Sequence, residues 1–308
     1  MAGIRPRRSI LSVPGNNSKM IKKALGLGAD QVMLDLEDSV PVDEKENARE
    51  LVVSSLMEEN WFNKIKSYRI NGLDTPYAYR DIIDVVEKAG NYIDSIIVPK
   101  VNNRCDIYMV SKLLDEVESH AGVSRRIRLE ASIESAEGLV NAYEIATATD
   151  RLDTLIFGIS DYSASVNMKH VGISSHGEQE EAYPGHRYHF PLSRMIMAAK
   201  AAELLAIDAP YGNFKDSTGL QNSCNIAAAL GCDGKWAIHP NQIDIINMTF
   251  TPDFEEVEQA KKVLAAYEKA KREKLGAVAI DGKMIDGASI RNATRIYQQA
   301  KAFGIIQD

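Results

Sequence analysis

Two short apolar runs each lead into a carboxylate. Arg128–Ile133 is followed at once by Glu134, and Thr154–Phe157 reaches Asp161 through a Gly-Ile-Ser link. Between them Ala136–Ala148 has helical character, so Arg128–Asp161 reads as one β-α-β step with an acid at the C-terminal end of each strand. Acids brought to one rim can share a hard divalent cation such as Mg2+, with main-chain oxygens, water and substrate completing six oxygen ligands. The same two acids can instead cap the helices that follow them.

Other residues at strand ends extend this chemistry. Arg69 precedes INGLDTP and is placed to clamp a carboxylate with two parallel hydrogen bonds. Arg8, at the start of the first strand, can reach the same anion if it points into the barrel, or else belongs to a basic surface arm. Asp35, Glu37 and Asp38 crowd the end of the second strand, with Asp35 and Glu37 on one face. They can hold metal-bound water or accept a proton, or pair with neighbouring Arg and Lys, the commoner fate of buried acids. Lys19 and Lys100 are cations able to meet phosphates. His239, in WAIHPNQ, reads as a hydrogen-bonded structural histidine. The sequence contains no P-loop, GxGxxG after the first strand, HExxH or GxSxG.

The elements that position these residues alternate. Strands are expected at Ser9–Val13, Gln31–Leu36, Ser67–Ile70, Ser95–Val98, Arg128–Ile133, Thr154–Phe157, Ala206–Ala209 and Lys235–Ile238, each followed by a helical run. Nearly every strand runs into polar or glycine residues, from PGNN after the first to HPN after the eighth. Eight such units predict a (β/α)8 TIM barrel with its active site on the C-terminal rim. The barrel is expected over 1–250, with a C-terminal helical extension over 251–308 that packs on the barrel or on a neighbouring subunit. Ser163–Pro191, rich in Gly, His and aromatic residues, is long enough to be a functional loop.

The chain has 308 residues, 45% of them hydrophobic, and a formal net charge of −7. No basic patch suggests nucleic-acid binding, and no apolar stretch is long enough for a membrane span. Three isolated cysteines without CxxC spacing fit a reducing cytosol, so a cytoplasmic protein is expected.

RRSILSVPGNN, VMLDLEDSVPVDEKENAR, YRINGLDTPYAYRD, IIVPKV, IESAEGLVNAYEIA, FGISDYSAS, GKWAIHPNQI and GAVAIDGKMID together span nearly the whole chain. As a set they resemble the citrate lyase beta-subunit-like enzymes of the HpcH/HpaI aldolase superfamily, most closely the malyl-CoA and methylmalyl-CoA lyases. The resemblance implies a TIM barrel, Mg2+ with Mn2+ as an alternative, a CoA thioester and a 2-oxoacid as small-molecule partners, and a homotrimer or homohexamer. It implies Glu134 and Asp161 as metal ligands, and Arg69 and Arg8 as holders of a glyoxylate-like anion. Glu37 and Asp38 match the family's acidic strand end, and Lys19 lies where the family meets CoA phosphates. Asp286 matches the acid that the tail brings over a neighbour's site. VNMKHVG after FGISDYSAS, and the insert that follows, depart from the malyl-CoA lyase pattern.

The expected reaction is reversible Claisen-type cleavage of a β-hydroxyacyl-CoA, such as L-malyl-CoA or β-methylmalyl-CoA, to glyoxylate and acetyl-CoA or propionyl-CoA. Citramalyl-CoA cleavage and malyl-CoA thioester hydrolysis are alternatives. Further competing readings are an aldolase on free 2-oxoacids and a non-catalytic subunit of a larger lyase complex.

Overall fold

The apolar runs close into a barrel of eight parallel strands, hydrogen-bonded in chain order, with β1 against β8. The computed structural model describes residues 5, 7–169, 187–273, 278–280 and 283–306. They form two compact units, Met1–Asn247 and Met248–Asp308.

In the first unit the strands are β1 (Ser9–Pro14), β2 (Gln31–Asp35), β3 (Ile65–Arg69), β4 (Ser95–Val98), β5 (Arg128–Ile133), β6 (Leu152–Phe157), β7 (Leu205–Asp208) and β8 (Gly234–Ala237). Helices α1 (Ser18–Leu25), α2 (Lys45–Glu58), α3 (Ala78–Ala89) and α4 (Arg104–Ala121) follow the first four strands. The strands are buried on both faces, which is why they read as apolar runs rather than as alternations.

The helix expected over Ala136–Ala148 is two short ones, α5 (Ala136–Val140) and α6 (Ala142–Ala146), broken at Asn141. Arg194 takes the carbonyls of Leu139 and Val140 at 2.8 and 2.7 Å, while Asn141 donates its side-chain amide to Asn102 O at 2.9 Å. Side chains thus capture carbonyls that an unbroken helix would use internally. After β6 come α7 (Ile159–Ser165) and α8 (His189–Ala201). Most of the insert, residues 170–186, lies outside the described residues. α9 (Ser217–Leu230) and α10 (Ile243–Thr249) follow β7 and β8.

The barrel interior is layered. At the N-terminal end, buried Arg7 pairs with Asp153 at 2.8 Å and Glu130 at 3.4 Å, and Glu130 accepts from Gln31 and Ser95. Above this polar plug lie Ile10, Met33, Ile97, Ile156, Ile207 and Trp236. The C-terminal ends of β2, β3 and β5 carry the next layer, which is charged: Asp35, Arg69 and Glu134.

The second unit contains α11 (Phe254–Glu273), an antiparallel pair β9 (Val278–Ile280) and β10 (Lys283–Ile285), and α12 (Gly287–Ala302). Ala260, Val263 and Ala293 form its small core, with Leu264, Ile285 and Ile296 packed around it. Among the described residues no helix is long and apolar enough to cross a membrane.

Candidate active site

Register places the rim residues. Asp35 and Arg69 are paired neighbours on β2 and β3, so their side chains rise from the same level of the barrel. The Arg69 guanidinium grips Asp35 through Nε and Nη2, at 2.7 and 2.8 Å, and its Nη1 lies 2.7 Å from Glu37 Oε2. Burial alone would raise the pKa of Asp35, but Arg69 and two backbone N–H donors outweigh it and hold the carboxyl below its ordinary value. The face of the Trp236 indole lies 5.3 Å from the guanidinium carbon of Arg69.

Lys100 ties the second strand to the fifth. Its Nζ sits 2.7 Å from Glu37 Oε1 and 3.6 Å from Asp38, and its backbone N–H donates to Glu134 Oε1 at 2.7 Å. The residue holds a φ of 50°, a left-handed conformation unusual for a side chain of this size. The paired acids raise the pKa of Lys100 against the cost of its burial. For Glu37 burial prevails, and its carboxyl is raised despite both cations.

Glu134 is buried at the end of β5. Its pKa is pushed up to about 7, first by burial, then by the charge of Glu37, with a smaller contribution from Asp161. Asp161 lies half-buried in the first turn of α7. Gly158 lets the two segments approach, because a Cβ there would come within 2.3 Å of Glu134 Cβ and 2.5 Å of its Oε2. Neither acid caps a helix through its side chain: Ser135 does so for α5, and α7 has no side-chain cap.

The donor set fits a hard divalent cation. The charges of Glu37 and Asp161 push the buried Glu134 carboxyl up, and a cation between Glu134 and Asp161 would relieve that repulsion. Among the described residues no three His, Cys, Asp or Glu side chains gather as a metal cage. Glu134 and Asp161 would therefore leave most of an Mg2+ coordination shell to water and substrate, as is usual for that ion.

The structure does not bring Arg8 to this rim. Arg8 precedes β1, where its Nε and Nη2 hold Asp30 at 2.9 and 2.7 Å, at the start of β2. The strand ahead of it spans roughly 20 Å, beyond the reach of an arginine side chain. Lys19 is exposed in the first turn of α1, on the rim side of β1. Asp38 is exposed beside Lys100. Asp286, in the second unit, is exposed and caps α12, accepting from Ser289 N and Oγ at 2.8 Å each, which keeps it below the ordinary carboxylate range. His239 accepts from Asn241 N–H through Nδ1 and stacks on Phe214 at 4.6 Å.

Sequence reasoning passed over Trp236, Gly158 and the amide of Lys100. A glycine directly after a strand end was the available signal for Gly158. Trp236, in an otherwise aliphatic barrel layer, was the signal for a floor beneath Arg69.

The chain is similar to known proteins over nearly its whole length. The HpcH/HpaI aldolase/citrate lyase family matches residues 8–240, and a family of carbon–carbon bond lyases of the TIM-barrel fold matches residues 190–305. The L-malyl-CoA/beta-methylmalyl-CoA lyase of Cereibacter sphaeroides is 38% identical over 96% of this chain and 95% of its own length. The citrate lyase subunit beta of Leuconostoc mesenteroides subsp. cremoris is 35% identical over 97% of this chain and 94% of its own. The structure of CitE from Mycobacterium tuberculosis in complex with magnesium, acetoacetate and coenzyme A is 27% identical, covers 98% of this chain and all of that one (100%), and superposes with a TM-score of 0.73. An aligned sequence of this extent and the eight-stranded barrel lead to one assignment: the chain belongs to the HpcH/HpaI aldolase/citrate lyase family of carbon–carbon lyases.

Proposed function

We propose that the protein is an Mg2+-dependent, reversible Claisen-type lyase. It cleaves a β-hydroxyacyl-CoA such as L-malyl-CoA or β-methylmalyl-CoA to glyoxylate and acetyl-CoA or propionyl-CoA. The observation that carries this reading is buried Glu134 facing Glu37 and Asp161 beside Arg69. The relative named L-malyl-CoA/beta-methylmalyl-CoA lyase, and the neighbour crystallised with magnesium and coenzyme A, support the choice of substrate and ion.

Glu134 and Asp161 would hold the cation. When bound, Mg2+ supplies fixed positive charge for oxygens on which negative charge develops. Arg69, locked by Asp35 and Glu37, presents its remaining N–H groups to the carboxylate of the 2-oxoacid portion. Glu37 accepts the hydroxyl proton of the substrate, and Lys100 holds it in place. The carbon–carbon bond then breaks, its electron pair passing to the thioester as an enolate while the hydroxyl-bearing carbon becomes the carbonyl of the 2-oxoacid. Asp286 serves at the acyl carbon: its carboxylate removes a proton there in synthesis, and in cleavage it takes up a proton from solvent and passes it to the enolate carbon. Its hydrogen bonds to Ser289 favour the carboxylate needed for the synthetic direction. Lys19, exposed on the rim side, meets the phosphates of the thioester.

The reading includes a homotrimer or homohexamer in which 251–308 serves a neighbour's site. One experiment tests the function: the purified protein with Mg2+ is given a panel of 2-oxoacids and acyl-CoAs, and products are identified by mass. Condensed thioesters from glyoxylate support the lyase. Release of free CoA from malyl-CoA supports the activity named in a relative 34% identical, the (3S)-malyl-CoA thioesterase of Cereibacter sphaeroides. Products formed only from pyruvate favour citramalyl-CoA.

A further inference from the structure

The face of the barrel opposite the rim carries a hollow of about 370 Å3, within the size range of small-ligand sites. Its walls are the segments that enter β1, β3, β4 and β5, so it is separated from the rim chemistry by the length of the barrel. Arg5, Lys64, Lys66 and Arg125 line it, against the single carboxylate of Asp94. That is a locally basic hollow on a chain whose formal net charge is −7.

Its cations have donors to spare. Asp94 lies 2.9 Å from Arg125 Nη1 and 3.6 Å from Arg5 Nη1, and its second oxygen accepts from the backbone N–H of Lys66 at 2.8 Å. Arg5 also gives Nη2 to the carbonyl of Asn63 at 2.5 Å, but a guanidinium has five N–H donors, so one carboxylate and one carbonyl do not satisfy two of them. Lys64 donates to the carbonyl of Leu27, and Lys66 lies 5.8 Å over the ring of Tyr92. Among the described residues neither lysine has a carboxylate within ion-pair distance. Asp94 thus anchors one side of the hollow and leaves a positive excess facing it.

An aromatic ring completes the lining. Phe62 is 69% exposed and holds a φ of 49°, a left-handed conformation that costs a non-glycine residue free energy. Its N–H is fixed by Asn60 Oδ1 at 2.9 Å. An exposed phenyl ring held in a costly conformation at the edge of a basic hollow offers a stacking face beside an anion site. Cations for a phosphate chain and a ring for a base are the recognition elements of a nucleotide.

We propose that this hollow binds a nucleoside polyphosphate, with the phosphates on Lys66, Lys64, Arg5 and Arg125 and the base on Phe62. The test is calorimetric titration of the full chain with ADP under saturating acetyl-CoA, so that the rim is occupied, with adenosine and inorganic pyrophosphate in separate arms. ADP is expected to bind in the presence of acetyl-CoA and more tightly than either fragment. Lys66→Gln and Arg125→Gln should each weaken ADP by about tenfold. Phe62→Ala should weaken ADP by about tenfold and leave pyrophosphate unchanged. All three variants are checked for the parental melting temperature, and Phe62→Gly, which suits a positive φ, replaces Phe62→Ala if the latter melts lower. Loss of ADP binding under acetyl-CoA, indifference of ADP to the cation variants, or equal binding of pyrophosphate and ADP would each overturn the proposal.

Discussion

The backbone N–H of Lys100 reaches Glu134 Oε1 at 2.7 Å while its side-chain ammonium lies 2.7 Å from Glu37 Oε1. One residue thus fixes two acids of the rim, and the left-handed φ of 50° accompanies this double contact. The two roles separate by mutation. Lys100→Met removes the ammonium and keeps the amide, so Mg2+ affinity should stay near the parental value while kcat falls by about tenfold or more, the worth of one charge-assisted contact. Metal titration and steady-state kinetics on the same sample check this.

Arg69 and Asp35 form a buried bidentate pair, so their loss should be felt in both folding and binding. Asp35→Ala leaves a guanidinium without its main partner and is expected to cost about 3–5 kcal/mol of stability. Arg69→Lys keeps the charge but loses the planar fork, and should raise the KM for the 2-oxoacid more than that for the CoA thioester. Denaturant unfolding measures the first and two-substrate kinetics the second. A 2-oxoacid KM equal to the parent's would remove Arg69 from the anion site.

The raised carboxyl of Glu134 gives a signed pH dependence. Between its ordinary value of 4.5 and about 7, the folded protein holds a proton that the unfolded chain releases. This contribution to stability is therefore present below 4.5 and lost as pH rises through 7. Metal-free protein should melt lower at about pH 8 than at about pH 5 through this group, and Glu134→Gln should flatten that slope. Because a bound cation must displace the proton, Mg2+ affinity should rise through the same window. Calorimetric melting and metal titration across pH follow both effects.

Asp286 lies in a different compact unit from Glu134, and the proposal assigns it to a neighbouring subunit's reaction. Asp286→Asn should retain Mg2+ binding and lose most turnover. If the assignment holds, mixing unfolded Asp286→Asn and Asp161→Asn chains and refolding them together should restore part of the activity. Mixed assemblies then contain sites that carry both native acids. Absence of any recovery, with mixed oligomers present, would place Asp286 outside the neighbour's site.

Much of the barrel was legible because strands buried on both faces write themselves as apolar runs, and because a parallel barrel gathers strand ends on one rim. Glu134 and Arg69 could be placed by that rule alone. Arg8 could not, since the rule also says that a residue before a strand belongs to the far end, where Arg8 meets Asp30. The break at Asn141 depends on Arg194, more than fifty residues away in the chain, and so leaves no local trace. The Lys100 amide contact was equally hidden, because it needs a positive φ at a residue whose type argues against one. Asp35 was placed on the rim by alternation, but its partner was fixed only by strand register.

The central claim is that Glu134 and Asp161 grip one divalent cation. Titrating Mn2+ into the parent, Glu134→Gln and Asp161→Asn proteins, with free metal followed by electron paramagnetic resonance and Mg2+ as competitor, tests it most directly. The account predicts one Mg2+-displaceable site per chain in the parent, weakened by about tenfold or more in each variant with folding intact. Unchanged stoichiometry and affinity in both variants would contradict it.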